Sequence, residues 1–157
     1  MDFRKNILKP FRLKIFFLQR MPMGFFTGLR VDKFDTNEAV VSLPFNGITK
    51  NPFRSVYFGA QAMAAELSTG VLAMDAVIDS KKNISMLVFD MKAHFSKKAV
   101  SRVSFRCEQG TDIRQAIQQT IDTKEGVTVE VKTIGTDQEG DVVSEFNYTW
   151  TFKLKSR

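Results

Sequence analysis

Glu66 stands in the middle of a run that is mostly apolar or small, VYFGAQAMAAELSTGVLAMDAVI from Val56 to Ile78. A carboxylate in that setting is costly to ionise unless something neutralises it or a reaction uses it. It is therefore either a working acid or base, or a structural group bonded to nearby backbone or to Gln61. Few other side chains offer chemistry. His94 is the only histidine and falls on the polar side of its segment; Cys107 is the only cysteine and shares an apolar side with Val103 and Phe105. One of each makes neither a metal-ligand set nor an internal disulfide.

The elements that must position Glu66 follow from periodicity. Pro52 and Ser55 read as a helix start, and no proline interrupts the residues up to Asp79. A helix from Val56 to Ile78 would be about 34 Å long and, being apolar on all sides, surrounded by protein. Gln61, Glu66, Asp75 and the strand-like flanks argue against a membrane span. Period-two alternation marks strands at 38–45, 84–96, 102–108, 127–131 and 146–154, with Leu87, Phe89, Met91, Ala93 and Phe95 expected on one face. Ile113, Ile117 and Ile121 mark a short helix over 111–123. Strands with one apolar face each belong to an antiparallel sheet. About five of them wrapped around one buried helix give an α+β fold in a single domain, 28–157. Ahead of it, 1–27 form a basic amphipathic segment. Pro10 suits the start of a helix that Pro22 ends. That helix either docks on the domain or lies on anionic lipid through residues 1–20.

A net charge of +6 points to anionic partners: nucleic acid, a membrane surface or a phosphate-bearing molecule. Nucleic acid is set aside, since no Gly-rich phosphate loop occurs and the aromatics do not interleave with basic residues. No secretory signal is evident, so a cytoplasmic location is expected, with membrane association through the basic segment.

The run Asn51 to Ala60, with Tyr57-Phe58-Gly59-Ala60 at its end, then Glu66 and Ser68-Thr69-Gly70, resembles the active-site segment of hotdog-fold acyl-CoA thioesterases. The likeness is to the phenylacetate-degradation and 4-hydroxybenzoyl-CoA thioesterase type, closest to an uncharacterised bacterial subgroup. It implies hydrolysis of an acyl-CoA or acyl-carrier-protein thioester, with Glu66 as base or nucleophile and Asn51 orienting the thioester or water. The backbone N–H groups of Phe58 and Gly59 would hold the oxyanion. Tyr57, Thr69, Met63, Lys97, Lys98 and Arg102 are the expected substrate contacts, the cations towards coenzyme A phosphates. No metal and no cofactor are implied beyond the coenzyme A of the substrate, and a homodimer or dimer of dimers is. The chain departs from the pattern where the family histidine falls on Tyr57 and the first glycine of a pair on Phe58. A partner-supplied hydroxyl falls near Val88, which has none. The alternative is a non-catalytic protein that binds acyl-CoA or fatty acyl chains.

Overall fold

A computed structural model of the chain describes residues 3–155. In order, its elements are α1 (Phe3–Ile7), α2 (Pro10–Arg20), α3 (Pro22–Thr27), β1 (Arg30–Phe34), β2 (Ala39–Leu43) and α4 (Phe58–Ser80). There follow β3 (Ile84–Phe95), β4 (Val103–Cys107), α5 (Gly110–Thr123), β5 (Val127–Thr136) and β6 (Val142–Leu154).

The apolar run becomes α4, and it lies across β2, β4, β5 and β6. It starts later than Pro52 suggests. Residues 51–55 instead close a turn around the Asn51 side chain, with Arg54 in the left-handed region at φ 59°, and Lys50 bridges to Val56. Pro52 marks this turn, and Tyr57 occupies the cap of the helix. Buried polar bonds fix the rotation of α4 against β6: Tyr148 donates to the Ala62 carbonyl (2.7 Å), Trp150 Nε1 to Thr69 Oγ1 (2.9 Å), and Ser144 to Gln61 Oε1 (2.8 Å). Because each group is out of water, each bond must be made for the helix to seat. α5 packs beside α4 through Ile113, Ala116 and Ile117.

The sheet has six strands, not five, all antiparallel in the order β1-β2-β4-β5-β6-β3. The additional strand is β1, RVDKF, where Arg30, Asp32 and Lys33 obscure the alternation and only Val31 and Phe34 are buried. β3 corrects a second expectation. A bulge between Val88 and Asp90 shifts its register on β6: Met86 and Val88 face Phe152 and Trp150, but beyond the bulge Met91 and Ala93 face Tyr148 and Phe146. One extra residue inverts the pleat. Leu87 and Phe89 therefore do not share a face with Met91, Ala93 and Phe95. From Phe89 to Phe95 every residue of this edge strand is exposed.

The N-terminal segment packs on the domain through Ile7, Leu13 and Phe17, the last fully enclosed. α2 begins at Pro10, where a missing N–H costs no helical bond, and Pro22 opens α3 in the same way. Gly28, at φ +77°, ends α3 in a conformation that favours glycine. α1 is tied down by charge. The Arg4 guanidinium donates twice to Asp75 of α4 at 2.8 Å, Arg114 of α5 bonds the same carboxylate, and both arginines reach Asp79. Asp75 is buried, and two cations replace the water it has lost. Among the described residues no helix is long and apolar enough to cross a membrane.

Candidate active site

Glu66 lies in the third turn of α4 and lines a cavity of about 350 Å³. The other walls are almost wholly apolar: Phe16 and Met21 from the N-terminal segment, Leu67 and Met74 from α4, Met86 from β3, Trp150 from β6, with Arg20 at the rim. Among the described residues no hydrogen bond or ion pair reaches the Glu66 carboxylate. Gln61, the partner considered from sequence, is turned away: its amide donates to the Val56 carbonyl and accepts from Ser144. Burial alone raises the Glu66 pKa above the ordinary carboxylate range. Gly70, one turn on, leaves the carboxylate room: a Cβ there would sit 3.0 Å from Glu66 Oε1 and 3.5 Å from the Trp150 ring. The Tyr148 hydroxyl is held protonated by burial first and by the nearby Glu66 charge second.

A second cavity, about 310 Å³, opens at the N-terminus of α4 and is lined by Asn51, Ser55, Phe58, Gln61, Phe95, Lys97 and Lys98 among others. The first helical bond of α4 runs from Gln61 N–H to the Tyr57 carbonyl, so the N–H groups of Phe58, Gly59 and Ala60 have no helical acceptor. No side chain caps them. Asn51 Oδ1 is fully used, accepting from the backbone N–H of Phe53 (3.0 Å) and Ser55 (3.1 Å) and from the Ser55 hydroxyl (3.2 Å). These donors fix the amide orientation, and Nδ2 has no partner among the described residues, so Asn51 can only donate to a ligand.

Within one chain, then, Asn51 and Phe58 line one cavity, Glu66 lines the other, and Gly59 lines neither. Tyr57 folds its ring over Gly59, where an added Cβ would lie 2.5 Å from the ring, and meets the Phe58 ring in a tilted contact at 4.8 Å. Thr69 is enclosed in the core, its hydroxyl shared between the Glu66 carbonyl and Trp150, and it reaches neither cavity. Met63 packs against the core away from both, while Met74 and Met86 line the Glu66 cavity. Lys97 is bound by Asp137, Glu139 and Asp141 of the β5–β6 hairpin, which hold its ammonium firmly protonated. Arg102 donates to Ser42 and lines neither cavity. Of the three expected phosphate ligands, Lys98 alone is exposed at a cavity with no partner among the described residues. Val88 sits half-buried opposite Trp150. Burial pushes the Cys107 thiol up to about 11, leaving it protonated at neutral pH, and His94 is exposed on the outer side of β3. Phe16, Met21 and Trp150 were not among the residues singled out from sequence; distance along the chain hid their meeting around Glu66.

The two cavities offer complementary chemistry. One supplies an unpaired carboxylate in an apolar wall, suited to activating water or attacking a carbonyl carbon. The other lies at the positive end of a helix, with the Asn51 amide and uncapped first-turn N–H groups nearby, suited to a developing oxyanion.

Comparison with solved structures agrees with this architecture. A protein of unknown function and probable thioesterase from Pseudomonas aeruginosa superposes with a TM-score of 0.76 at 19% identity, over 96% of this chain and 99% of its own. A thioesterase from Haemophilus influenzae gives 0.62 at 12% identity, over 87% and 86%. A thioesterase from Staphylococcus aureus, solved as a glutamine-to-alanine variant and also as a glutamate-to-alanine variant, gives 0.64 at 16%, over 85% and 99%. A six-stranded antiparallel sheet around one long helix is an α+β fold of the hotdog-like class. No curated protein matches the sequence. Residues 12–152 match the profile of DUF4442, a domain of unknown function, and the chain belongs to that family.

Proposed function

We propose that this protein is a thioester hydrolase acting on acyl-CoA or acyl-carrier-protein substrates in the cytoplasm, with an active site completed in a homodimer. The observation that carries the reading is the unpaired Glu66 carboxylate in an apolar cavity wall, at a pKa raised by burial. Such a group is expensive to keep unless it reacts. In hydrolysis Glu66 takes a proton from water as the water oxygen bonds to the thioester carbon. The carbonyl oxygen, now negative, is met by the N–H groups of Phe58 and Gly59 and by Asn51 Nδ2. The C–S bond then breaks, and the proton held by Glu66 passes to the departing thiolate.

The dimer supplies the missing proximity. β3 is an edge of the sheet, and its second half is bare on both faces. Met86, near one end, lines the Glu66 cavity; Phe95, at the other, lines the Asn51 cavity. Antiparallel pairing of two β3 strands about a two-fold near Asp90 sets each Asn51 cavity beside the partner's Glu66. It also pairs an open edge and covers Phe89, Met91 and Phe95.

Within hotdog thioesterases the reading favours the phenylacetate-degradation and 4-hydroxybenzoyl-CoA type. That preference rests on the resemblance of the Asn51–Gly70 segment; the glutamine and glutamate substituted in the S. aureus protein are fifteen residues apart, as are Asn51 and Glu66, which supports these two as the working pair. One observation favours the non-catalytic alternative: the Tyr57 ring lies over Gly59, where an incoming thioester would need space. Steady-state hydrolysis of a panel of aryl and alkyl thioesters, on both coenzyme A and acyl-carrier protein, separates the two. Turnover lost in Glu66→Gln supports the enzyme. Tight binding of acyl-CoA with no turnover on any member leaves the binder.

A further inference from the structure

We propose that the outward face of the N-terminal helices docks on an anionic lipid surface. α2 carries two apolar faces where docking on its own domain needs one. Leu13 and Phe17 point inward and are buried. Phe11, Ile15 and Leu18, spaced four and three apart, form a stripe on the opposite side, 75%, 41% and 52% exposed. α3 adds Met23 and Phe26, at 69% and 62%. Large side chains massed in this way mark a contact surface.

Charge identifies the occupant. By helical position Lys14 borders the stripe on one side and Arg12 on the other, and Lys9 precedes it. Lys9 and Lys14 have no partner among the described residues, and the sequence from Phe3 to Leu29 contains no Asp or Glu. A second copy of the same patch would set these cations against one another, as a two-fold contact requires. An anionic bilayer accommodates both features: the phenylalanines and leucine enter the acyl boundary while the lysines and arginine meet headgroups. The face is also pre-ordered, because Phe17 and the Arg4–Asp75 pair hold these helices on the domain.

The test is co-sedimentation of the full chain with phosphatidylcholine vesicles, with and without phosphatidylglycerol, at low and high salt. Binding is expected to the phosphatidylglycerol vesicles alone, weakening as salt rises. Phe11→Glu with Leu18→Glu, and separately Lys9→Glu with Lys14→Glu, should each lower it by about tenfold or more. All of these sites are exposed, so an unchanged melting temperature is the control on folding. Equal binding to both vesicle types, or binding to neither, overturns the proposal. So does a stripe variant that keeps its vesicle binding and changes only the oligomer measured by light scattering, since a second copy would then be the occupant.

Discussion

At the scale of single residues, Glu66 makes two measurable statements. If its carboxylate is the base, Glu66→Gln keeps the shape and removes the basicity, and turnover should fall by about a hundredfold or more. The acid limb of kcat/KM should also inflect above the ordinary glutamate value of about 4.3, since burial raises the pKa of this group. Stability gives an independent readout with a defined sign. The folded chain holds the Glu66 proton to higher pH than the unfolded chain does. Its contribution is therefore fully present below the unfolded-state pKa and is lost as pH rises through the folded-state value. Glu66→Gln should melt higher than the parent at neutral pH, with a gap that closes on acidification. Thermal melts across pH check this without any substrate. Glu66 was legible in the sequence because a carboxylate contradicts its apolar surroundings. Asn51 was legible only by spacing. That its oxygen is used by the 51–55 turn, leaving a donor alone, required the backbone path through Arg54. Lys97 and Lys98 read as a pair, yet the acidic hairpin forty residues downstream claims only the first.

At the scale of elements, the cluster of Arg4, Arg114, Asp75 and Asp79 is what fixes α1. Arg114→Ala should cost about 1.5–3 kcal/mol, the range for hydrogen bonds to charged groups. Denaturant titration gives the loss, and hydrogen exchange should quicken in α1 and α5 while the β5–β6 amides stay protected. Phe17→Ala is the harsher version, roughly 3–5 kcal/mol for a fully enclosed ring. The long helix, the short one and five strands are written plainly in the sequence by their periods. β1 is not, since three charges in five residues leave too few apolar positions to show an alternation. The β3 bulge is invisible for a different reason. Leu87, Phe89, Met91, Ala93 and Phe95 alternate without a break, and the extra residue is set by pairing with Thr149 and Trp150, which are sixty residues away.

At the scale of the whole molecule, the proposed dimer makes an expectation that a monomeric site cannot meet. Glu66→Gln and Asn51→Ala should each be inactive alone. Mixed and allowed to exchange subunits, they should recover about a quarter of wild-type activity, because half the dimers are hybrids and each hybrid carries one intact site. No recovery, with exchange shown by mass spectrometry, would place both groups in one subunit's site. Met91→Asp sets a charge on the bare part of β3 and should yield a folded monomer by light scattering. A variant that stays dimeric would move the interface elsewhere.

The Asp75 cluster has a consequence for synthesis. Arg4 leaves the ribosome roughly 110 residues before Arg114, an interval of about 5–20 s at ordinary elongation rates. Throughout that time the carboxylate that anchors α1 is absent or incompletely paired, and the surface that buries Leu13 and Phe17 does not yet exist. A cationic, phenylalanine-rich segment thus waits uncovered while the rest of the chain is made. Whatever meets it first, chaperone or bilayer, has a head start over the domain to which it belongs.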